Sequence, residues 1–487
     1  MRIVSRRTVV QVLLGSGGLA LLTACGQTAA PAQKAAEPAK PVETKPTAAP
    51  AAPAAAPAAT QAAPAKPAEA AKPAAASAQA AATGSQVKIV YWGSFSGNLG
   101  KAEQETVEKF NASQKDVVVE YQFQGSYEET AQKLTAALQA RQAPDMSLLS
   151  DVWWFKFYSN KMLAPLDEFV KKANVDLKDY QDSLINEGIR KGQLFWVPFA
   201  RSTPIFYYNK DAWKAAGLPD RGPETWDEFK TWTPKLLKKD GSGNVSQYPF
   251  AHPGAASYIA WLFQGVAWQW GGAYSNPDFT IRIAEPPVVQ AAEFYRSSVA
   301  DGWASTPKDL DVEFRTGVAA SIMGSTAGLA GHEANSKFPV GTAFLPKGPA
   351  GFGCCTGGSG MAILASTPKE KQEAAFKFIQ FATSTEHTAW WSQNTGYMPV
   401  RKSAVDGPMQ KFYAEKPNFL TTVKQLPQTK PQDAARVFIP NGDQIIGKGL
   451  ERITINKEAP EGVWKDVAAT LTKEAEAVVK LVKAVEG

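Results

Sequence analysis

Val87-Lys-Ile-Val-Tyr91 has the texture of a buried strand, and Lys101 to Asn111 follows it with helical spacing. Val117 to Gln122 is a second strand, Tyr127 to Arg141 a second helix and Met146 to Leu149 a short third strand. Strands alternating with helices of this length predict a parallel sheet covered by helices on both faces. The alternation resumes downstream at Met361–Leu364, followed by a helix over Pro368–Thr383. A pattern interrupted and resumed in this way predicts two α/β lobes joined by crossing segments. No internal repeat and no further hydrophobic span accompanies it.

Upstream of Val87 the texture is different. Residues 26–85 are mostly Ala, Pro and Lys, with ten prolines and no aromatic residue. Such a segment cannot bury enough apolar surface to offset its ordering entropy, so it reads as an extended tether. Met1 to Cys25 has the layout of a secretory signal: a basic start, an apolar stretch from Val9 to Leu22, then small residues. The apolar stretch is too short to span a bilayer, which takes roughly 20 residues. Ser5-Arg6-Arg7-Thr8-Val9-Val10 resembles the twin-arginine export signal, with Gln11 where a lysine is common. Leu22-Thr23-Ala24-Cys25-Gly26 resembles the bacterial lipoprotein box, which implies diacylation of Cys25 and anchoring to the extracytoplasmic face of the cell membrane.

Charge and cysteine content exclude other classes. The formal net charge of the 487 residues is +6, but residues 87–487 carry 44 basic and 43 acidic side chains. A near-neutral body lacks the clustered Lys and Arg footprint of a nucleic-acid binder. Three cysteines in so long a chain exclude a disulfide scaffold and a cysteine-rich metal site, and nothing implies a cofactor.

Phe199-Ala-Arg-Ser-Thr-Pro-Ile-Phe-Tyr-Tyr-Asn-Lys-Asp-Ala-Trp213, then Ala216-Gly-Leu-Pro219 and Pro223-Glu-Thr-Trp226, resembles a stretch shared by extracellular solute-binding proteins of the sugar-binding family. Gly357-Gly-Ser-Gly-Met361, Ala374-Ala-Phe-Lys-Phe-Ile379 and Thr395-Gly-Tyr-Met-Pro-Val-Arg401 are similar to the same family, and the likeness runs through most of Val87–Val479. The resemblance implies a class II clamshell periplasmic-binding-protein fold, each lobe a mixed sheet with flanking helices. The divisions it suggests are a signal peptide over 1–24, the lipidated cysteine and tether over 25–86, one lobe from 87–202 plus 360–396, and the other from 203–359 plus 397–487. Crossovers are expected near Arg201–Pro204, Cys355–Gly360 and Tyr397–Arg401. The implied activity is capture of a small solute in the interlobe cleft and delivery to an ABC permease, by a monomer that is not an enzyme.

The glycerol-phosphate-binding relatives place ligand contacts on a tyrosine, an acid, two hydroxyl residues, a glycine and a second tyrosine. By resemblance these fall on Tyr127, Asp151, Ser202, Ser325 or Thr326, Gly358 and Tyr397. Tyr127 opens a helix after a strand and Asp151 follows a strand end, both expected cleft positions in open α/β sheets. Asp151 also suits a helix N-cap. Trp92, at the end of the first strand, and Trp268-Gln-Trp270-Gly-Gly272 are candidates for stacking on a sugar face, with a structural role as the alternative. Arg201 is placed either to pair bidentately with an anionic ligand or to form a surface salt bridge. Cys354-Cys355 reads as two buried thiols, or as a strained bridge.

Gly442-Asp-Gln-Ile-Ile-Gly447-Lys448 has phosphate-loop spacing but Gly449 where a hydroxyl residue should hold magnesium, and reads as a loop-to-helix turn. His332-Glu333 begins a zinc-protease motif whose second histidine position is Ser336. An exported polysaccharide hydrolase, which needs paired carboxylates, and a scaffolding lipoprotein are the rival classes. Among ligands the sequence favours a neutral carbohydrate over glycerol phosphate or its diesters. The reason is that Phe438 falls where the relatives carry a ligand-contacting arginine, with Arg436 the nearest arginine.

Overall fold

A computed structural model describes residues 86–486. Residues 1–85, on which the expected export signal, lipidated Cys25 and tether fall, lie outside the described residues. Helices Gly97–Ser113, Tyr127–Gln139 and Lys369–Ala382 and strands Val87–Gly93, Val117–Phe123 and Met146–Ser150 occupy the spans the sequence pattern predicts, with ends differing by a few residues.

Two five-stranded mixed sheets organise the described chain, one in each lobe. In the first, Val87–Gly93 lies between Val117–Phe123 and Met146–Ser150, and these pairings are parallel. Gly357–Ile363 then runs antiparallel beside Met146–Ser150, and Val197–Ser202 pairs antiparallel with it at the edge. All five residues of Met146–Ser150 and all six of Val197–Ser202 are buried, as strands covered on both faces must be.

The second sheet has the order Ala304–Ser305, Phe250–Ala251, Ser321–Ser325, Pro204–Asn209, Val340–Ala343. Its two pairings around Phe250–Ala251 are parallel, and Pro204–Asn209 is antiparallel to both neighbours. Val197–Ser202 and Pro204–Asn209 belong to different sheets and are separated by Thr203 alone, so the chain passes between lobes in one residue. It returns at Thr356 into Gly357–Ile363. Arg201 and Met398 form a bridge at the third passage.

Helix Ala256–Gln269 is apolar almost all round, with ten of its residues buried, and forms the centre of the second lobe. Helix Gly442–Thr454 packs on it. A Cβ on Gly447 would sit 1.9 Å from the Ala256 carbonyl oxygen, so only glycine permits that approach. The glycines of the phosphate-loop-like stretch are therefore packing residues. The last helix, Pro460–Glu486, is shared: Leu471 and Ala475 join the second lobe's core, whereas Val478 joins the cluster around Trp154 and Trp196. Arg190 clamps its end through Nε and Nη2 to the Glu486 carboxylate at 2.7 and 2.8 Å. Cys354 and Cys355 are free, fully buried thiols facing the Pro204 and Trp261 carbonyls.

Candidate functional site

The carboxyl ends of the parallel strands in the first lobe and of Ser321–Ser325 in the second open onto one cleft of about 1060 Å³. This is where an open α/β sheet leaves a crevice for ligand. Tyr127, Asp151, Ser202, Ser325, Gly358 and Tyr397 all line it. Thr326, the alternative to Ser325, is buried and its hydroxyl accepts from the Thr203 amide at 3.4 Å.

The first wall is aromatic and tightly braced. Ser126 and Glu129 form a capping box that starts helix Tyr127–Gln139, which fixes Tyr127 at the strand end. Its hydroxyl donates to Ser359 Oγ at 3.0 Å and lies 3.4 Å from that of Tyr397. Phe95 packs on both rings, at 5.6 and 5.8 Å between centroids, and Trp391 stacks on Tyr397. Behind Phe95 the buried Glu103 accepts from the Tyr91 and Tyr121 hydroxyls at 2.6 and 2.9 Å, and burial pushes its carboxyl up to about 7. Gly358 holds φ +105°, and a Cβ there would meet the Ala200 carbonyl oxygen at 2.1 Å. Its own carbonyl accepts from the Asp151 amide at 2.9 Å, which sets Asp151 at the cleft.

The second wall carries the charge. Arg436 is 4 % exposed, lines the cleft and donates to the Ser257 carbonyl at 3.3 Å. Its Nη1 also bonds Gln432 Oε1 and lies 3.7 Å from Asp151 Oδ2. Gln432 in turn donates to Asp151, so an Asp151–Gln432–Arg436 chain links the two lining side chains. Arg436 Nε has no partner. Ala255, at the N-cap of helix Ala256–Gln269, offers no side-chain cap, and Ala255, Ala256 and Ser257 line the cleft together with Arg436. Ser257 Oγ donates to Asp443 Oδ2 at 2.5 Å. Tyr258 and Trp261, stacked at 5.7 Å, supply a second aromatic face. Toward the mouth, Asp311 pairs with Arg315 at 3.2 Å, and burial raises the Asp311 carboxyl above its ordinary value.

Three expected contacts lie elsewhere. Trp92 sits beside its register partner Gln122 and donates its indole N–H to that amide at 2.9 Å, so the strand's alternation turns it from the cleft. Trp270 ends helix Ala256–Gln269 and packs on Phe294 at 5.2 Å. Arg201 forms its salt bridge in the interior and not at the surface: it is fully buried behind the sheet, 2.5 Å from Glu187 and over the Trp196 ring. Phe438 also faces inward, 4.3 Å from Phe155 between ring centroids. Arg436, two positions earlier, is the arginine at the cleft, and the sequence signal for it was present but assigned to Phe438. Asp443, Tyr258 and Trp261 carried no such signal.

A model of a family described as bacterial extracellular solute-binding protein matches residues 105–421. The sn-glycerol-3-phosphate-binding periplasmic protein UgpB of Escherichia coli K12 is 26 % identical over 398 residues, covering 77 % of this chain and 89 % of that protein. The structure of UgpB from Mycobacterium tuberculosis in complex with glycerophosphocholine is 40 % identical with a TM-score of 0.75, over 80 % of this chain and 98 % of that one. The GacH receptor of Streptomyces glaucescens, solved with acarbose, matches in fold alone: 18 % identity and a TM-score of 0.71, over 80 % and 99 % of the two chains.

Proposed function

The chain belongs to the family of bacterial extracellular solute-binding proteins, and on that premise we propose that its cleft captures a glycerophosphodiester for an ABC importer. It is a receptor and not an enzyme. The observation that carries the ligand class is Arg436. A buried guanidinium with a free Nε, set beside the open amino end of a helix, suits a phosphate oxygen far better than a sugar hydroxyl. This reverses the preference for a neutral carbohydrate, which rested on Phe438 occupying the arginine's place. Asp151 and Asp443 suit glycerol hydroxyls, and the aromatic faces of Tyr127, Tyr258 and Trp261 suit a cationic head group such as choline. The glycerophosphocholine complex of the 40 % identical relative supports the same reading.

Calorimetry on the purified protein tests it. Glycerophosphocholine should bind in the micromolar range or tighter, with little heat from maltose. Maltose binding without glycerophosphocholine binding would restore the carbohydrate reading. Diacylation of Cys25 would tether this receptor near its permease. Cys25→Ala should leave membranes for the soluble fraction, and unchanged membrane fractionation would refute the anchor.

A further inference from the structure

Arg436 stands on Ala434–Val437, a helix of one turn. A single turn cannot hold itself in place, because one helical hydrogen bond does not offset the backbone entropy of forming it. Something else must aim the guanidinium.

Asp433 precedes this turn, at the position where an aspartate ordinarily caps its own helix, yet its side chain makes no cap bond. The carboxylate reaches across to the loop after helix Ala256–Gln269 instead. It accepts from the Tyr274 amide at 2.7 Å and from the Trp268 indole N–H at 3.2 and 3.3 Å. Ser275 Oγ, one residue on, accepts from the Ala435 amide at 2.8 Å. The stretch Trp268-Gln-Trp270-Gly-Gly272 supplies the geometry: Gly271, at φ +84°, turns the loop so that the indole and the Tyr274 amide converge on one carboxylate. Upstream, Lys430 bonds Cys354 and Thr356 at the passage between lobes, so the strap is held at both ends. Burial pushes the Asp433 carboxyl up to about 6, so keeping it charged here costs energy that a neutral residue would avoid.

We infer that Asp433 is the positioning residue of the cleft, fixing the strap that aims Arg436 at the ligand's phosphate, with Trp268 and Tyr274 as its anchors. The inference rests on Arg436 being the phosphate partner.

The test is a double-mutant cycle on the full-length protein, read by calorimetry with glycerophosphocholine and accompanied by thermal unfolding. Asp433→Asn keeps the shape but sets an NH2 group against one of the donors, and should weaken binding by about tenfold. In an Arg436→Met background the same change should have no further effect, because it acts through the missing guanidinium. Trp268→Phe, which removes one anchor and leaves the carboxylate bonded to Tyr274, should act in the same direction by a smaller factor. It keeps the question open to measurement if Asp433→Asn does not fold. Losses that add in the double mutant would reduce Asp433 to a structural residue and overturn the inference. Affinity kept in Asp433→Asn and Trp268→Phe but lost in Arg436→Met would overturn it while leaving the phosphate reading intact. Affinity unchanged in Arg436→Met would overturn both.

Discussion

Arg201 and Arg436 are both buried arginines near the passages between lobes, and they do opposite things. Arg201 sits in strand Val197–Ser202, where alternation sends Ser202 to the cleft and Arg201 to the other face. There Glu187 holds Nη2 at 2.5 Å, Trp196 lies 4.9 Å from the guanidinium, and the second Glu187 oxygen takes the Thr356 hydroxyl at 2.5 Å. Burial pushes the Glu187 carboxyl above its ordinary value, and Arg201 pulls it back. Arg436, on its single turn, lines the cleft with Nε unpartnered and its nearest carboxylate 3.7 Å away. One arginine is paired behind the sheet and ties the two crossing strands together. Both keep unpartnered nitrogens, Nε and Nη1 in Arg201 and Nε in Arg436, but only Arg436 lines the cleft where a ligand arrives. Burial alone does not distinguish a structural arginine from a binding one; the closeness of its carboxylate does.

That contrast breaks most readily at Glu187. Glu187→Ala leaves Arg201 as an uncompensated buried charge and should cost about 3–5 kcal/mol of folding stability. Arg436→Met should cost about 1 kcal/mol, because the partners it loses face the open cleft and water can replace it. Denaturant melts of the two variants compare them directly. Equal losses would mean that Arg436 is as structural as Arg201.

The first lobe was legible because its strands are buried on both faces and separated by helices of ordinary length, so period and composition agree. The antiparallel insertion of Gly357–Ile363 was only partly legible. Its first four residues are Gly-Gly-Ser-Gly, which read as a crossing loop, and only contact with Met146–Ser150 and Val197–Ser202 makes them a strand. Tyr127, Asp151 and Tyr397 were locatable at the cleft because they sit at strand ends or in a motif shared with relatives. Trp92 and Arg201 were misplaced because adjacency in sequence does not say which face a side chain takes, and Trp270 because it sits at the far end of a helix whose amino end lines the cleft. Arg436 was passed over by two positions, since a one-turn helix after a proline-rich connection has no periodicity to set its register. Asp443, Tyr258 and Trp261 reach the cleft from helix starts whose positions depend on the packing of Gly442–Thr454 on Ala256–Gln269, which no local pattern announces.

On the proposed function, the cleft holds a phosphodiester on Arg436 and leaves Arg201 uninvolved. The most direct measurement is the affinity for glycerophosphocholine, by calorimetry, of the parent protein, Arg436→Met and Arg201→Met, each confirmed folded. Losing a charge-assisted hydrogen bond of about 1.5–3 kcal/mol should weaken binding by Arg436→Met roughly 10- to 150-fold, while folded Arg201→Met binds within about threefold of the parent. Unchanged affinity in Arg436→Met, or its loss in Arg201→Met instead, would contradict a phosphate site on Arg436.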